Sequence, residues 1–147
     1  CQGAQQIARI LGAKVGPAPD NRYEFGYFEV SPTAKAGSFL TDPMHFTQAH
    51  FHTFEIPKGA VHLARSKGFE NQAFRYSENI YGLQFHPECT IEGFRRWQKN
   101  SPIEGGLGVQ SFDKQNQLMM MHDAAQAEWF YNFLSNLFGS IPAVPVK

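Results

Sequence analysis

The sequence predicts a mixed α/β fold, and three observations carry that prediction. Between Tyr23 and Phe85, short apolar and aromatic runs of strand length follow one another, separated by Gly, Pro, Ser and Asn. Near both ends the apolar residues instead recur at helical spacing, as Ile7, Ile10 and Leu11 early on and along a long segment from Asp113 to Phe138. The run Ile80-Tyr81-Gly82-Leu83-Gln84-Phe85 stops at His86-Pro87-Glu88, which places two titratable side chains at the end of a strand.

Length and charge bound the rest. The chain has 147 residues, the size of one domain, which buries roughly 70% of its unfolded surface. Thirteen basic and thirteen acidic residues cancel, so no electrostatic footprint for nucleic acid or an anionic membrane is present. No apolar run approaches the roughly 20 residues that span a bilayer, and no basic-then-apolar leader opens the sequence. A soluble, cytoplasmic protein is expected, with a small molecule or another protein as its partner. Two cysteines do not make a disulfide framework.

Taken in order, the elements read as follows. Gln2 to Leu11 is a helix stopped by Gly12. Residues 13–22, with two prolines and a glycine, read as a connection. Tyr23 to Val30 is a strand with Tyr23, Phe25 and Tyr27 on one face and Phe28 and Val30 on the other, so both faces are covered. Residues 31–44 form a loop rich in Ser, Thr, Gly and Pro, either flanking a site or merely connecting on the surface. A strand and turn from His45 to Phe54 closes at Pro57-Lys58-Gly59, and short strands follow at Val61 to Ala64 and Gln72 to Tyr76. Ser77-Glu78-Asn79 turns into the strand ending at His86. Such a series suggests an antiparallel flank on a parallel sheet. Ile91, Phe94 and Trp97 share a helical face that Ser101-Pro102 ends, and Ile103 to Gly108 reads as a flexible linker. Residues 111–139 form a C-terminal helical segment of the same domain, with Ala124, Ala127, Phe130, Leu134 and Leu137 as its apolar stripe and Met119 to Met121 filling core gaps. The tail from Ile141 to Lys147 is expected to be loosely held.

Chemistry enters at His86. On an extended backbone residues two apart project to one side, so His86 and Glu88 can face one cavity with Cα atoms about 6 to 7 Å apart. The carboxylate then holds the imidazole in one tautomer. Cys1 stands at a helix start, where unpaired N–H groups and the positive dipole end favour a thiolate. A thiol there, with His and Glu distant in sequence, is the arrangement of a Cys-His-Glu acyl-transfer triad: Cys1, His86 and Glu88. Cys89 alternates away from Glu88 and reads as a buried neutral thiol. His45, His50 and His52 include a His-x-His pair, but no Cys or Asp at ligand spacing completes a tetrahedral set, so neither metal nor cofactor is expected.

These residues carry a family resemblance. Cys1-x-Gly3-x-Gln5 before a helix, then Glu24-Phe25-Gly26-Tyr27, then Gln84-Phe85-His86-Pro87-Glu88, resemble the class I glutamine amidotransferases, and in particular the stand-alone GMP-synthase-like domains. His50-Phe51-His52-Thr53-Phe54 and Pro57-Lys58-Gly59-Ala60 resemble the family's His-Gly-Asp-Thr-Phe region and the Pro-x-Gly-Ala after it. The likeness runs to about Gln110. His52 stands where aspartate is usual, and Ala4 where histidine is common.

The resemblance implies a flavodoxin-like, doubly wound mixed sheet with antiparallel flanking strands, whose N-terminal half is missing from this chain. It implies glutamine as substrate, with Gln5 helping to hold it and the Gln2 backbone N–H as one oxyanion donor. The second donor would lie in the missing half. Ammonia would pass to a synthetase partner. Three other readings remain: a γ-glutamyl hydrolase or peptidase, an N-terminal-nucleophile hydrolase using the Cys1 amine, and a catalytically silent binding domain.

Overall fold

The fold is described from a computed structural model, in which residues 1–100 and 105–139 are defined. The predicted stop at Ser101-Pro102, the first part of the Ile103 to Gly108 linker and the tail from Ile141 to Lys147 lie outside the described residues.

The first helix, α1 (Gln2–Ile10), starts at the N-cap Cys1, and Gly12 with φ of 86° follows its C-cap Leu11. Its buried face differs from the one its larger apolar residues suggest. Ala4 and Ala8 are buried against Phe54 and Phe74, while Ile10 points to solvent. Small side chains on that face let the helix approach the sheet closely.

The expected connection at 13–22 contains a three-residue strand, β1 (Val15–Pro17), paired antiparallel with β4 (His52–Phe54). The main sheet comprises β2 (Glu24–Pro32), β3 (Met44–His50), β5 (Val61–Ser66), β6 (Ala73–Tyr76) and β7 (Ile80–Leu83), in the order β3-β2-β5-β6-β7. All of these pairings are antiparallel. Among the described residues the parallel part of the expected sheet is represented only by an isolated bridge between Phe25 and Val109. Short connections such as residues 77–79 join antiparallel neighbours, because a parallel pair needs a crossover of a dozen residues or more.

The sheet curls. β7 ends earlier than the sequence suggests, yet pairing continues beyond it, with the Gln84 N–H donating to the Gln72 carbonyl at 2.8 Å. Two residues later the His86 N–H donates to the Thr47 carbonyl at 2.8 Å, so the chain leaving one edge strand meets the other.

Helices cover both faces. Phe25 and Tyr27 pack with Phe94 of α2 (Ile91–Asn100) and with Leu118 and Met119 of α3 (Phe112–Phe138). On the other face Val30, Phe46, Leu63 and Phe85 form a second cluster, on which Trp129 and Phe133 of α3 rest. The Phe46 and Phe85 rings stack at 4.3 Å, with the Trp129 ring 4.9 Å from Phe46. The 33–43 loop joins this cluster: Phe39 and Leu40 are buried in it, and the Phe39 carbonyl accepts the Trp129 indole N–H at 3.0 Å.

Two expectations for α3 are corrected. Ala124 and Ala127 face solvent, whereas the buried side runs through Gln115, Leu118, Met119, Gln126 and Trp129. Of the three methionines only Met119 is in the core, and Met120 and Met121 are exposed. Gln126 on the buried side meets the edge of β3 at Thr47, and Gln115 is satisfied by Gln98 of α2 and the Gln110 carbonyl. The 105–108 segment is likewise no free linker. The Tyr23 N–H donates to the Leu107 carbonyl at 2.9 Å, and Gly108, at φ of 86°, approaches so closely that a Cβ there would overlap the Tyr23 carbonyl oxygen.

Where α3 crosses β3, the rings of His45 and His122 stack at 4.1 Å. Burial first, then His122, pushes His45 below its ordinary range, with Glu29 opposing and Lys114 adding to the shift. The unfolded chain therefore takes up this proton first. Stability held above about pH 6.5 declines as pH falls below it. Between about pH 7 and about pH 5, His45→Gln is expected to lose less Tm than the wild type in thermal scans. Phe46→Ala, which empties a fully buried ring site, is expected to lower the unfolding free energy by about 3–5 kcal/mol in a urea titration.

Candidate active site

The site is built on the open edge of β3, the outermost strand of the sheet. Alternate residues of an edge strand direct both peptide groups away from their neighbour. Thr47 and Ala49 do so here. The Thr47 carbonyl accepts the His86 N–H, and the Ala49 carbonyl lies 4.0 Å from the Cys1 sulfur, at the outer limit of a sulfur contact. Two residues along a strand correspond to about 6.8 Å, so the start of α1 and the segment after β7 are gathered on one edge.

His86 is held from three sides. Its main chain is fixed to Thr47, its Nδ1 is 2.7 Å from Glu88 Oε1, and its ring meets the Trp97 ring edge-on at 5.2 Å. The Glu88 carboxylate accepts the Nδ1 proton, which leaves Nε2 available to a reacting group. Burial alone would push the Glu88 carboxyl up. The hydrogen bond from His86, one from the Glu88 backbone N–H and the imidazole charge outweigh that and hold it below its ordinary value. Cys1 is half-buried.

The other predicted residues fall around this edge. Gln2 is the first residue of α1, and the first helical bond is donated by Gln5 to the Cys1 carbonyl, so the Gln2 N–H has no partner within the helix. The Gln5 side chain donates to the His52 carbonyl at 3.3 Å. That carbonyl also faces His50 Nδ1 at 3.1 Å, while His50 Nε2 faces Glu24 Oε2 at 3.1 Å. Glu24 is buried and accepts from Gln72 at 2.7 Å and Ser66 at 2.8 Å as well. His50 thus belongs to a buried polar network beneath β4, and His45 to the stack with His122. Among the described residues no group of three or more His, Cys, Asp or Glu gathers as a metal site.

Sequence reasoning did not find Thr47, Trp97 or Gln126. Gln126 of α3, fully buried, takes the Thr47 N–H at 2.9 Å and donates to the Cys89 carbonyl at 3.1 Å. Trp97 was visible only as one of three apolar residues on a helical face. Nothing in the pattern links positions 47, 86 and 126, because their meeting depends on the curl of the sheet.

The class-I glutamine amidotransferase family model matches residues 1–101. The chain belongs to this family. It is 36% identical over 101 residues to the glutamine amidotransferase-like protein YfeJ of Salmonella typhimurium, covering 63% of this chain and 40% of that protein. It is 32% identical over 90 residues to a subunit of the glutamine-hydrolyzing GMP synthase of Pyrococcus abyssi, covering 60% of this chain and 48% of that one. The crystal structure of a glutamine amidotransferase from Methylobacillus flagellatus superposes with a TM-score of 0.81 at 26% identity, over 100% of this chain and 64% of the other. The chain therefore spans less than two thirds of each of these relatives. It shares the flavodoxin-like α/β fold of the class-I amidotransferases.

Within this amidotransferase fold the two cysteines differ in surroundings. Burial, then the charges of Glu88 and Asp123, push the Cys89 thiol up to about 12, with Arg96 opposing. Iodoacetamide at about pH 8 is expected to alkylate Cys1 and spare Cys89, as peptide mass mapping would show. Equal labelling of the two would contradict this difference.

Proposed function

We propose that this chain carries a glutaminase site in which Cys1, His86 and Glu88 act as nucleophile, acid-base and orienting carboxylate. The observation that carries the reading is the 2.7 Å bond between His86 Nδ1 and Glu88, made on the strand edge that also receives the Cys1 thiol. Membership of the family adds support.

His86 Nε2 takes the thiol proton of Cys1 as the sulfur attacks the γ-carbonyl of glutamine. The carbonyl oxygen takes up the negative charge, to which the Gln2 N–H at the start of α1 donates. As the tetrahedral intermediate collapses, the C–N bond breaks and His86 Nε2 gives its proton to the leaving ammonia. A water molecule then loses a proton to His86 and attacks the γ-glutamyl thioester. The C–S bond breaks, releasing glutamate and restoring the thiol. Gln5, beside the nucleophile on α1, contacts the substrate once its hydrogen bond to His52 opens. Ammonia passes to a synthetase partner, a proposal that the glutamine-hydrolyzing GMP synthases among the relatives motivate.

The experiment is a glutaminase assay on the full protein. Cys1→Ala and His86→Ala are each expected to lower kcat by at least about 10³-fold, with folding unchanged by circular dichroism. Unchanged turnover in either variant would refute its assigned role. If glutamine proves inert and γ-glutamyl peptides are cleaved, the site is a peptidase instead.

A further inference from the structure

We infer that Gln126 is a positioning residue for the His86–Glu88 pair, acting from α3 across the strand edge. The inference rests on the triad reading above and deepens it. The segment from His86 to Cys89 is a tight turn, closed by the Cys89 N–H on the His86 carbonyl at 3.2 Å. Anchoring both ends of such a turn limits how far its side chains can shift. The first end is fixed by the His86 N–H on the Thr47 carbonyl at 2.8 Å. The second is fixed by Gln126, whose Nε2 donates to the Cys89 carbonyl at 3.1 Å.

The same amide fixes Thr47 itself. Gln126 Oε1 accepts the Thr47 N–H at 2.9 Å, and Nε2 lies 2.9 Å from the threonine hydroxyl. One side chain therefore holds the strand residue that carries His86 and the turn residue that follows Glu88. It is fully buried, so water does not compete for these bonds. An amide suits the task because it donates and accepts at once without a charge to desolvate. Asp123, one turn earlier on α3, also lies 3.4 Å from Nε2 and accepts the Tyr27 hydroxyl at 2.9 Å, which ties the amide to β2 as well.

The alternative is a purely structural glutamine that satisfies a strand edge and nothing more. The two roles separate experimentally. Gln126→Met keeps the volume and removes every bond. Val30→Ala, a core change away from this amide, serves as a control for lost stability. In the full protein Gln126→Met is expected to reduce kcat by about 10- to 100-fold with KM for glutamine within about twofold of wild type. In long-range ¹H–¹⁵N spectra its His86 is expected to change from one dominant neutral tautomer, protonated on Nδ1, to a mixture. Val30→Ala should leave both readouts unchanged. If Gln126→Met does not fold, Gln126→Asn, too short to reach Thr47 and Cys89 together, is read in the same way.

A Gln126 variant that matches Val30→Ala in kcat and in the His86 spectrum overturns the inference. If the wild type turns over no glutamine, the triad reading fails, and the His86 tautomer alone then decides whether Gln126 positions the imidazole.

Discussion

An edge strand presents unpaired N–H and C=O groups, and something must cover them. In this chain that requirement organises the molecule. The outward groups of β3 are met by the sulfur of Cys1, by the main chain of His86 and by the amide of Gln126. Three segments far apart in sequence are thereby collected along a few residues of one strand. An edge that would otherwise invite pairing with another chain serves instead as the rail on which the candidate site is mounted.

The polar interior follows the same logic. Glu24, His50, Ser66 and Gln72 are buried, and each finds partners within the group. Isolated, such groups would cost several kcal/mol in desolvation; linked, they hold β2, β3 and β5 in one register. The Glu24 to His50 contact coincides with the cross-strand pairing of those two residues. The His52 carbonyl that faces His50 in this network also receives Gln5, so α1 is tied through one side chain to the cross-linked part of the sheet.

Much of the architecture was legible from residue pattern. The helix after Cys1, the alternation of β2 and the polar ending after β7 each follow from local chemistry. The pairing of His86 with Glu88 was expected from extended geometry, but the two side chains meet instead within a turn closed by the Cys89 N–H on the His86 carbonyl. Non-local choices were less accessible. Ala124 and Ala127 look like a core stripe by hydropathy, yet α3 turns Gln126 inward there, where the edge of β3 offers peptide groups to bond. The segment around Gly108 reads as a linker by composition, and only the proximity of the Tyr23 backbone explains its glycine. The antiparallel flank was legible from the short strands and turns, whereas among the described residues the parallel part is represented only by the bridge between Phe25 and Val109.

The edge-on contact between Trp97 and His86 makes α2 one wall of the candidate site. Trp97 packs against the cluster in which Phe94 meets Phe25 and Tyr27 of β2. The indole is therefore seated in the core on one side and against the imidazole on the other, so a change in the packing of α2 would reach the histidine ring through a single aromatic contact.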